Sequence, residues 1–203
     1  MKFKIENLDS KARYKLLTGS VVPRPIAWVT TTNTNGTVNL APFSYFSLIS
    51  TEVPIVSIAI NRINHQLKDT SKNILESKAC VIHVVDDTLV ASMNSSSATL
   101  PYGDSELNAL SLKVQPSEVL GLPCISDAKI KMEATLYSHQ VIEDEKQIHT
   151  DLFLLKIVHI EIDDSVYDLE KGYIKTNVLH PVARLAGNEY AGIKPVFTIK
   201  RPK

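Results

Sequence analysis

The sequence has only two cysteines in 203 residues, Cys80 and Cys124. They lie far apart and form no CxxC pair, so a reduced, cytosolic protein is expected. Cys80 sits in an apolar strand pattern, where a buried free thiol is the plainer reading. The six histidines show no HxxxH or HExxH spacing, so no zinc or iron site is expected. GxSxG, Walker A and GxGxxG patterns are all missing, which leaves nucleophilic hydrolysis, P-loop chemistry and a Rossmann dinucleotide site without support. There is no excess of either charge: 22 Lys and Arg balance 22 Asp and Glu. Without a global field, nucleic acid and anionic membrane are not expected partners. No run approaches the roughly 18 apolar residues of a membrane span. Met1-Lys-Phe-Lys-Ile-Glu6 has no apolar core, so no signal peptide is expected.

What is present is an ordinary globular composition, 44% hydrophobic and 22% charged, on a chain long enough for a substantial core and read as one domain over residues 1–203. Many short apolar strands separated by breakers, with only scattered short helices, indicate a mainly β, antiparallel barrel or sandwich. Strands are expected at Ile26–Thr32, Thr37–Leu40, Phe43–Ser50, Ile55–Ile60, Ala79–Val85, Lys129–Ser138, Asp151–Ile162 and Val196–Lys200. The first four, with their tight connections, suggest an antiparallel meander. Asn35-Gly36 suits a type I′ hairpin turn. Short helices are expected within residues 1–17, with Leu8, Ala12, Leu16 and Leu17 towards a core, at Asp69–Ser77 with Asp69 or Thr70 as N-cap, and at Glu106–Leu112. Asn94–Ser105 is polar and rich in breakers, and reads as the most mobile segment.

Residues 18–70 are the most informative stretch. Pro23 and Pro25 hold Arg24 in extended geometry at the mouth of a strand. Pro42 interrupts Asn39-Leu-Ala-Pro-Phe-Ser44 and leaves backbone groups that need partners, either water at an edge strand or the polar edge of a ligand ring. Lys68-Asp69-Thr70 opens a helix. That tripeptide fits a plain capped helix as well as a phosphate cradle in which free N–H groups, an ammonium and a hydroxyl converge. Thr30, Thr31 and Thr32 suit a strand by β-propensity alone. Among the histidines, His83 and His159 read as satisfied core or wall residues, and His180, beside Pro181, as the one with most scope for a role.

Taken together, Arg24-Pro-Ile-Ala-Trp-Val-Thr-Thr31, Gly36, Asn39-Leu-Ala-Pro-Phe-Ser-Tyr-Phe46, Pro54-Ile-Val56, Lys68-Asp-Thr70 with Asn73-Ile74, Pro181-Val-Ala-Arg-Leu-Ala-Gly-Asn-Glu-Tyr190 and Phe197-Thr-Ile-Lys-Arg-Pro202 resemble the flavin reductase-like family. The pieces keep the family's order and span nearly the whole chain. Departures are small: Val53-Pro54 stands where two prolines are common, and Ala186-Gly187 where two glycines are.

The resemblance implies an FMN-binding split β-barrel with a few peripheral helices and a homodimer with the flavin near the interface. It also implies reducing equivalents from NADH or NADPH. By position, Arg24, Pro25, Ile26 and Thr30 approach the flavin edge. Asn39, Leu40, Ala41 and Ser44 contact the ring and ribityl chain, and Ser57 and Ile58 support the ring. Lys68, Asp69 and Thr70 hold the phosphate, and Tyr190 reaches in from a late loop. The flavin carries the chemistry, so no catalytic side chain is singled out. The alternative within this reading is an FMN electron carrier of flavoredoxin type with no nicotinamide site. Residues 94–112 are expected either to gate the second substrate or to be a solvated excursion.

Overall fold

The computed structural model describes residues 1–193, 196–200 and 202. Its elements begin with α1 (Ser10–Ser20), β1 (Arg24–Pro25), β2 (Ala27–Thr32), β3 (Val38–Phe43), β4 (Phe46–Ser50), β5 (Ile55–Asn61), α2 (Asp69–Ser77) and β6 (Ala79–Val84). They continue with α3 (Val90–Ser95), β7 (Val114–Pro116), β8 (Pro123–Ile125), β9 (Ile130–Glu143) and β10 (Ile148–Ile162). The last are β11 (Tyr167–Asp168), β12 (Tyr173–Ile174), α4 (Thr176–Leu179), β13 (Val182–Arg184) and β14 (Tyr190–Gly192). Among the described residues, no helix is long and apolar enough to cross a membrane.

Seven strands make one antiparallel sheet in the order β3-β2-β6-β9-β10-β5-β4. The two edges, β3 and β4, are consecutive in the chain, with only Ser44 and Tyr45 between Phe43 and Phe46. Three Cα–Cα steps span at most about 11 Å. The sheet therefore has to curl until its edges nearly meet at this corner. No ladder joins β3 to β4, so the curl stays split along that seam. The expected meander is thus corrected. The β2–β3 and β4–β5 hairpins are real, but they lie at opposite ends of the sheet, with β6, β9 and β10 inserted between them.

Alternation along β2 explains two cores. Ala27 and Val29 face inward with Phe43, Ile58, Ile82 and Phe153. Trp28 faces the other way with Leu40, Val85, Met93 and Ile125, as period-two geometry requires. Both faces of β2 are covered, so it is buried almost end to end. His83 shows how a polar ring survives between these layers. Nδ1 lies 2.8 Å from the Trp28 carbonyl, and Nε2 accepts the Ile125 N–H at 3.0 Å. Only the neutral ring protonated on Nδ1 satisfies both partners. Burial pushes its pKa down from 6.5 to about 4.

Several sequence expectations change. The β2–β3 turn has positive φ at Gly36 and not at Asn35, so it is not type I′. Asn33 organises it instead, accepting the Asn35 and Thr37 N–H groups on Oδ1 at 2.9 Å each. Leu16 and Leu17 on α1 are exposed rather than facing a core. The helix expected at Glu106–Leu112 is a single 3-10 turn, Glu106–Ala109. Residues 116–127, read as connection, contribute the β7–β8 ladder. Val196–Lys200 is irregular, not a strand.

Candidate functional site

α2 begins without a side-chain cap. Lys68 is the N-cap residue, in extended conformation, and it has no oxygen to offer the first-turn N–H groups. The expectation of Asp69 or Thr70 at this position is corrected by one residue, and the difference matters. A cation replaces the usual acceptor, so the amides and the ammonium all present positive charge to the same place. Among the described residues, Lys68 Nζ makes no hydrogen bond or ion pair. It lies 5.8 Å from the centre of the Phe43 ring, and burial lowers its pKa. Asp69 faces Lys72 at 4.0 Å on the next turn.

The start of α2 is fixed to the sheet by short polar side chains. Asn39 Nδ2 donates to Thr70 Oγ1 at 2.8 Å, and Asn73 Nδ2 donates to Thr31 Oγ1 at 3.0 Å. All four residues are buried, so the helix end has little freedom to shift relative to β2 and β3.

In front of this helix end lies a cavity of about 310 Å³. Its walls are Asn39, Ala41, Pro42 and Phe43 on β3, Lys68-Asp69-Thr70, and Ser96–Leu100 with Glu106 from the long polar loop. Glu106 is buried and accepts the Leu40 N–H at 2.9 Å. Burial, reinforced by the charge of Asp69, raises its pKa. A second cavity of about 240 Å³ adjoins the first, sharing Pro42, Phe43 and Ser97 with it. Ile26, Ser44, Met93, Asn94, Arg184, Asn188 and Tyr190 complete its lining. Both cavities are bordered by the end of β3, and together they form one groove with a cationic helix start at one end.

The structure sorts the sequence-predicted residues into two groups. Asn39, Ala41, Lys68, Asp69 and Thr70 line the larger cavity; Ile26, Ser44 and Tyr190 line the smaller. The others line neither. Arg24 is buried and turned towards the protein. Nη1 donates to the Thr18 and Val21 carbonyls at 2.6 Å each, Nη2 to the Leu185 carbonyl at 2.8 Å, and Nε to Ser44 Oγ at 3.4 Å. It closes the carbonyl end of α1, where a cation is favoured, against the β1–β13–β14 sheet. Pro25 is exposed on β1. Thr30 is buried and donates to the Pro123 carbonyl at 2.6 Å. Leu40 and Ile58 are fully buried in the two cores, and Ser57 is half-buried on β5 opposite Ser47. His180 lines neither cavity; it ends α4 in the left-handed region.

Sequence reasoning missed Met93 and Asn188 as wall residues, and it offered Asn94, Ser96 and Glu106 only as part of residues 94–112, read as either a gate or a solvated excursion. The breaker-rich loop was visible, but not that it folds back. Tyr190 Oη donates to Asn94 Oδ1 at 2.8 Å, and Ser105 Oγ donates to the Val38 carbonyl at 2.6 Å. The segment is a tethered wall, not a free excursion.

Comparison with known proteins shows what the chain resembles as a whole. Residues 18–177 match the family described as Flavin reductase like domain. An uncharacterised protein of Bacillus subtilis, YwrF, is 41% identical over 201 residues, covering 98% of each chain. The crystal structure of nitrilotriacetate monooxygenase component B from Bacillus cereus is 34% identical over 98% of both chains, with a TM-score of 0.94. That of the 2-nitrobenzoate 2-nitroreductase NbaA of Pseudomonas fluorescens is 30% identical over 100% of this chain and 96% of that one, with a TM-score of 0.88. A match to that family over residues 18–177, with relatives more than 30% identical along nearly the whole chain, shows that this mainly β protein belongs to the flavin reductase-like family.

Proposed function

We propose that the protein is an FMN-binding split-barrel oxidoreductase that takes electrons from NADH or NADPH. The observation that carries this reading is the start of α2. An N-cap lysine with no hydrogen bond or ion pair among the described residues and first-turn amides with no side-chain cap line a cavity of about 310 Å³, and this donor set suits a phosphate monoester. The donors fit FMN, with the phosphate on Lys68, Thr70 and the α2 amides. Asn39, Ala41, Phe43 and Ser44 would hold the rest of the flavin. The bound flavin supplies the hydride-accepting and hydride-donating chemistry.

The chain's own residues position and shield. Phe43 and Pro42 give the groove an apolar floor, the Asn39–Thr70 bond holds the phosphate end to the strand, and Ser96–Leu100 cover the groove against solvent. No side chain has to move a proton for this role.

We also propose a homodimer. Leu16, Leu17 and Val21 at α1, and Leu48 and Ile49 on β4, are exposed, and a second copy of the chain is the occupant that would cover them. Light scattering of dilute protein checks this, and a monomer that keeps tight FMN would contradict it. The redox reading is tested by rapid anaerobic mixing of the FMN-loaded protein with NADH and with NADPH. Bleaching of the flavin absorbance is expected. A protein that holds FMN but bleaches with neither is an electron carrier.

A further inference from the structure

The smaller cavity has a chemical character of its own. Arg184 is the sole charged side chain among its lining residues; Ser44, Asn94, Ser97 and Asn188 supply neutral polar groups, and Ile26, Pro42, Phe43 and Met93 supply apolar walls. Among the described residues, no carboxylate lines it. The contrast with Arg24 is instructive. Arg24 spends its guanidinium on three carbonyls and a hydroxyl. Arg184 donates from Nη2 to the Gly187 carbonyl, and among the described residues its Nε and Nη1 have no acceptor.

Arg184 is nonetheless held in place. It sits on β13 between β1 and β14, and its guanidinium lies 4.5 Å from the centre of the Tyr190 ring. Tyr190 is in turn fixed by its hydroxyl to Asn94. A planar fork restrained by a ring, with donors to spare and no anion beside it, is arranged to receive a planar anion.

We propose that this cavity seats the electron acceptor that reoxidises the flavin, that this acceptor is a small planar carboxylate, and that Arg184 is the residue that selects it. The inference rests on the flavin reading of the larger cavity, because sharing Pro42, Phe43 and Ser97 is what would bring such a ligand against the flavin. At about 240 Å³ the cavity falls below the usual range of about 300–1,000 Å³ for drug-sized ligands. It accommodates one ring and its substituents, not a whole dinucleotide. The carboxylate would take a charge-assisted pair from Arg184, and the ring would lie on Pro42 and Phe43.

The test uses benzoate, with neutral benzamide as its isostere, titrated calorimetrically into the protein with and without FMN. Benzoate is expected to bind at least about tenfold more tightly than benzamide, and Arg184→Gln to abolish that preference while leaving FMN affinity unchanged. Arg184→Lys, which keeps the charge but loses the fork, is expected to retain part of the preference. Equal binding of benzoate and benzamide, or a preference that survives Arg184→Gln, overturns the proposal. So does a loss in Arg184→Gln confined to the Michaelis constant for NADH, which would assign the arginine to a dinucleotide phosphate. If FMN fails to bind but benzoate still binds through Arg184, the anion site stands and the flavin reading falls. If FMN binds and benzoate does not, the reverse holds.

Discussion

Trp28, fully buried on β2, donates its indole N–H to the Ser96 hydroxyl at 2.8 Å, and that hydroxyl donates onward to the Met93 carbonyl at 2.8 Å. One buried ring thereby fixes the residue at which the cavity wall leaves α3. Ser96→Ala removes the acceptor and strands the indole N–H inside the core. Such an orphaned donor costs about 1–3 kcal/mol. Chemical denaturation is expected to show that loss, and flavin titration a weaker affinity, because Ser96–Leu100 line the larger cavity. Shortening the loop between Ala98 and Gly103, beyond this anchor, is expected to spare stability. Gating would then show as a raised Michaelis constant for NAD(P)H with FMN affinity unchanged.

Lys68→Ala tests the phosphate end. Its ammonium is the cation on the cavity wall, and losing one charge-assisted bond costs about 1.5–3 kcal/mol, roughly ten- to a hundredfold in affinity. FMN titration by fluorescence quenching is expected to show that drop with little change in melting temperature, since Lys68 makes no hydrogen bond or ion pair among the described residues and its contact with the Phe43 ring is a distant 5.8 Å. Because burial lowers the Lys68 pKa below its ordinary 10.5, FMN affinity is also expected to fall at alkaline pH earlier than an exposed lysine would dictate.

His83 predicts an acid limit. Its pKa of about 4 in the folded state lies below the ordinary 6.5, so the unfolded chain binds more protons between those values. The linked stability is complete above pH 6.5 and is lost as pH falls towards 4, by an amount on the order of 3 kcal/mol. Denaturation at a series of pH values is expected to show that slope. A His83→Gln variant, which cannot titrate, is expected to lose it even if it is less stable throughout.

Glu106 predicts the opposite sense. Its folded pKa is raised above the ordinary 4.5, so ionising it costs stability above that folded value, and the cost disappears as pH drops below 4.5. Glu106→Gln keeps a carbonyl oxygen for the Leu40 N–H and removes the charge. It is expected to be more stable than the parent at neutral pH and equal to it in acid. FMN is expected to bind the variant more tightly, because the buried carboxylate that opposes a phosphate in the same cavity is gone.

The antiparallel strands were legible as short apolar runs bounded by breakers, such as those holding Val29, Ile58 and Ile82. The cradle at Lys68 and Thr70 was legible as a pattern, but not the reason it works. That reason is an N-cap that caps nothing, which depends on a backbone angle one residue before the expected cap. The sheet order was not legible, since Phe43–Ser50 reads as one continuous strand, whereas Ser44 and Tyr45 link two strands that lie at opposite edges of the sheet. Arg24 and Arg184 illustrate the limit for side chains. Both sit in extended, proline-flanked or strand contexts, and only the placement of the carbonyls of Thr18, Val21 and Leu185 shows that one is consumed by the fold while the other retains free donors.

The Ser44-Tyr45 link also carries a load that hydrogen bonds carry elsewhere in the sheet. In a fully laddered barrel, every pair of neighbouring strands is held by interstrand hydrogen bonds, and each one lost counts against the folded state. Here β3 and β4 share no ladder, so the covalent chain at a single corner, and not a row of hydrogen bonds, keeps these two edges close. Separating them away from that corner would break no ladder bond, which makes a chain break between Ser44 and Tyr45 more disruptive than a break in any other two-residue link of the same exposure.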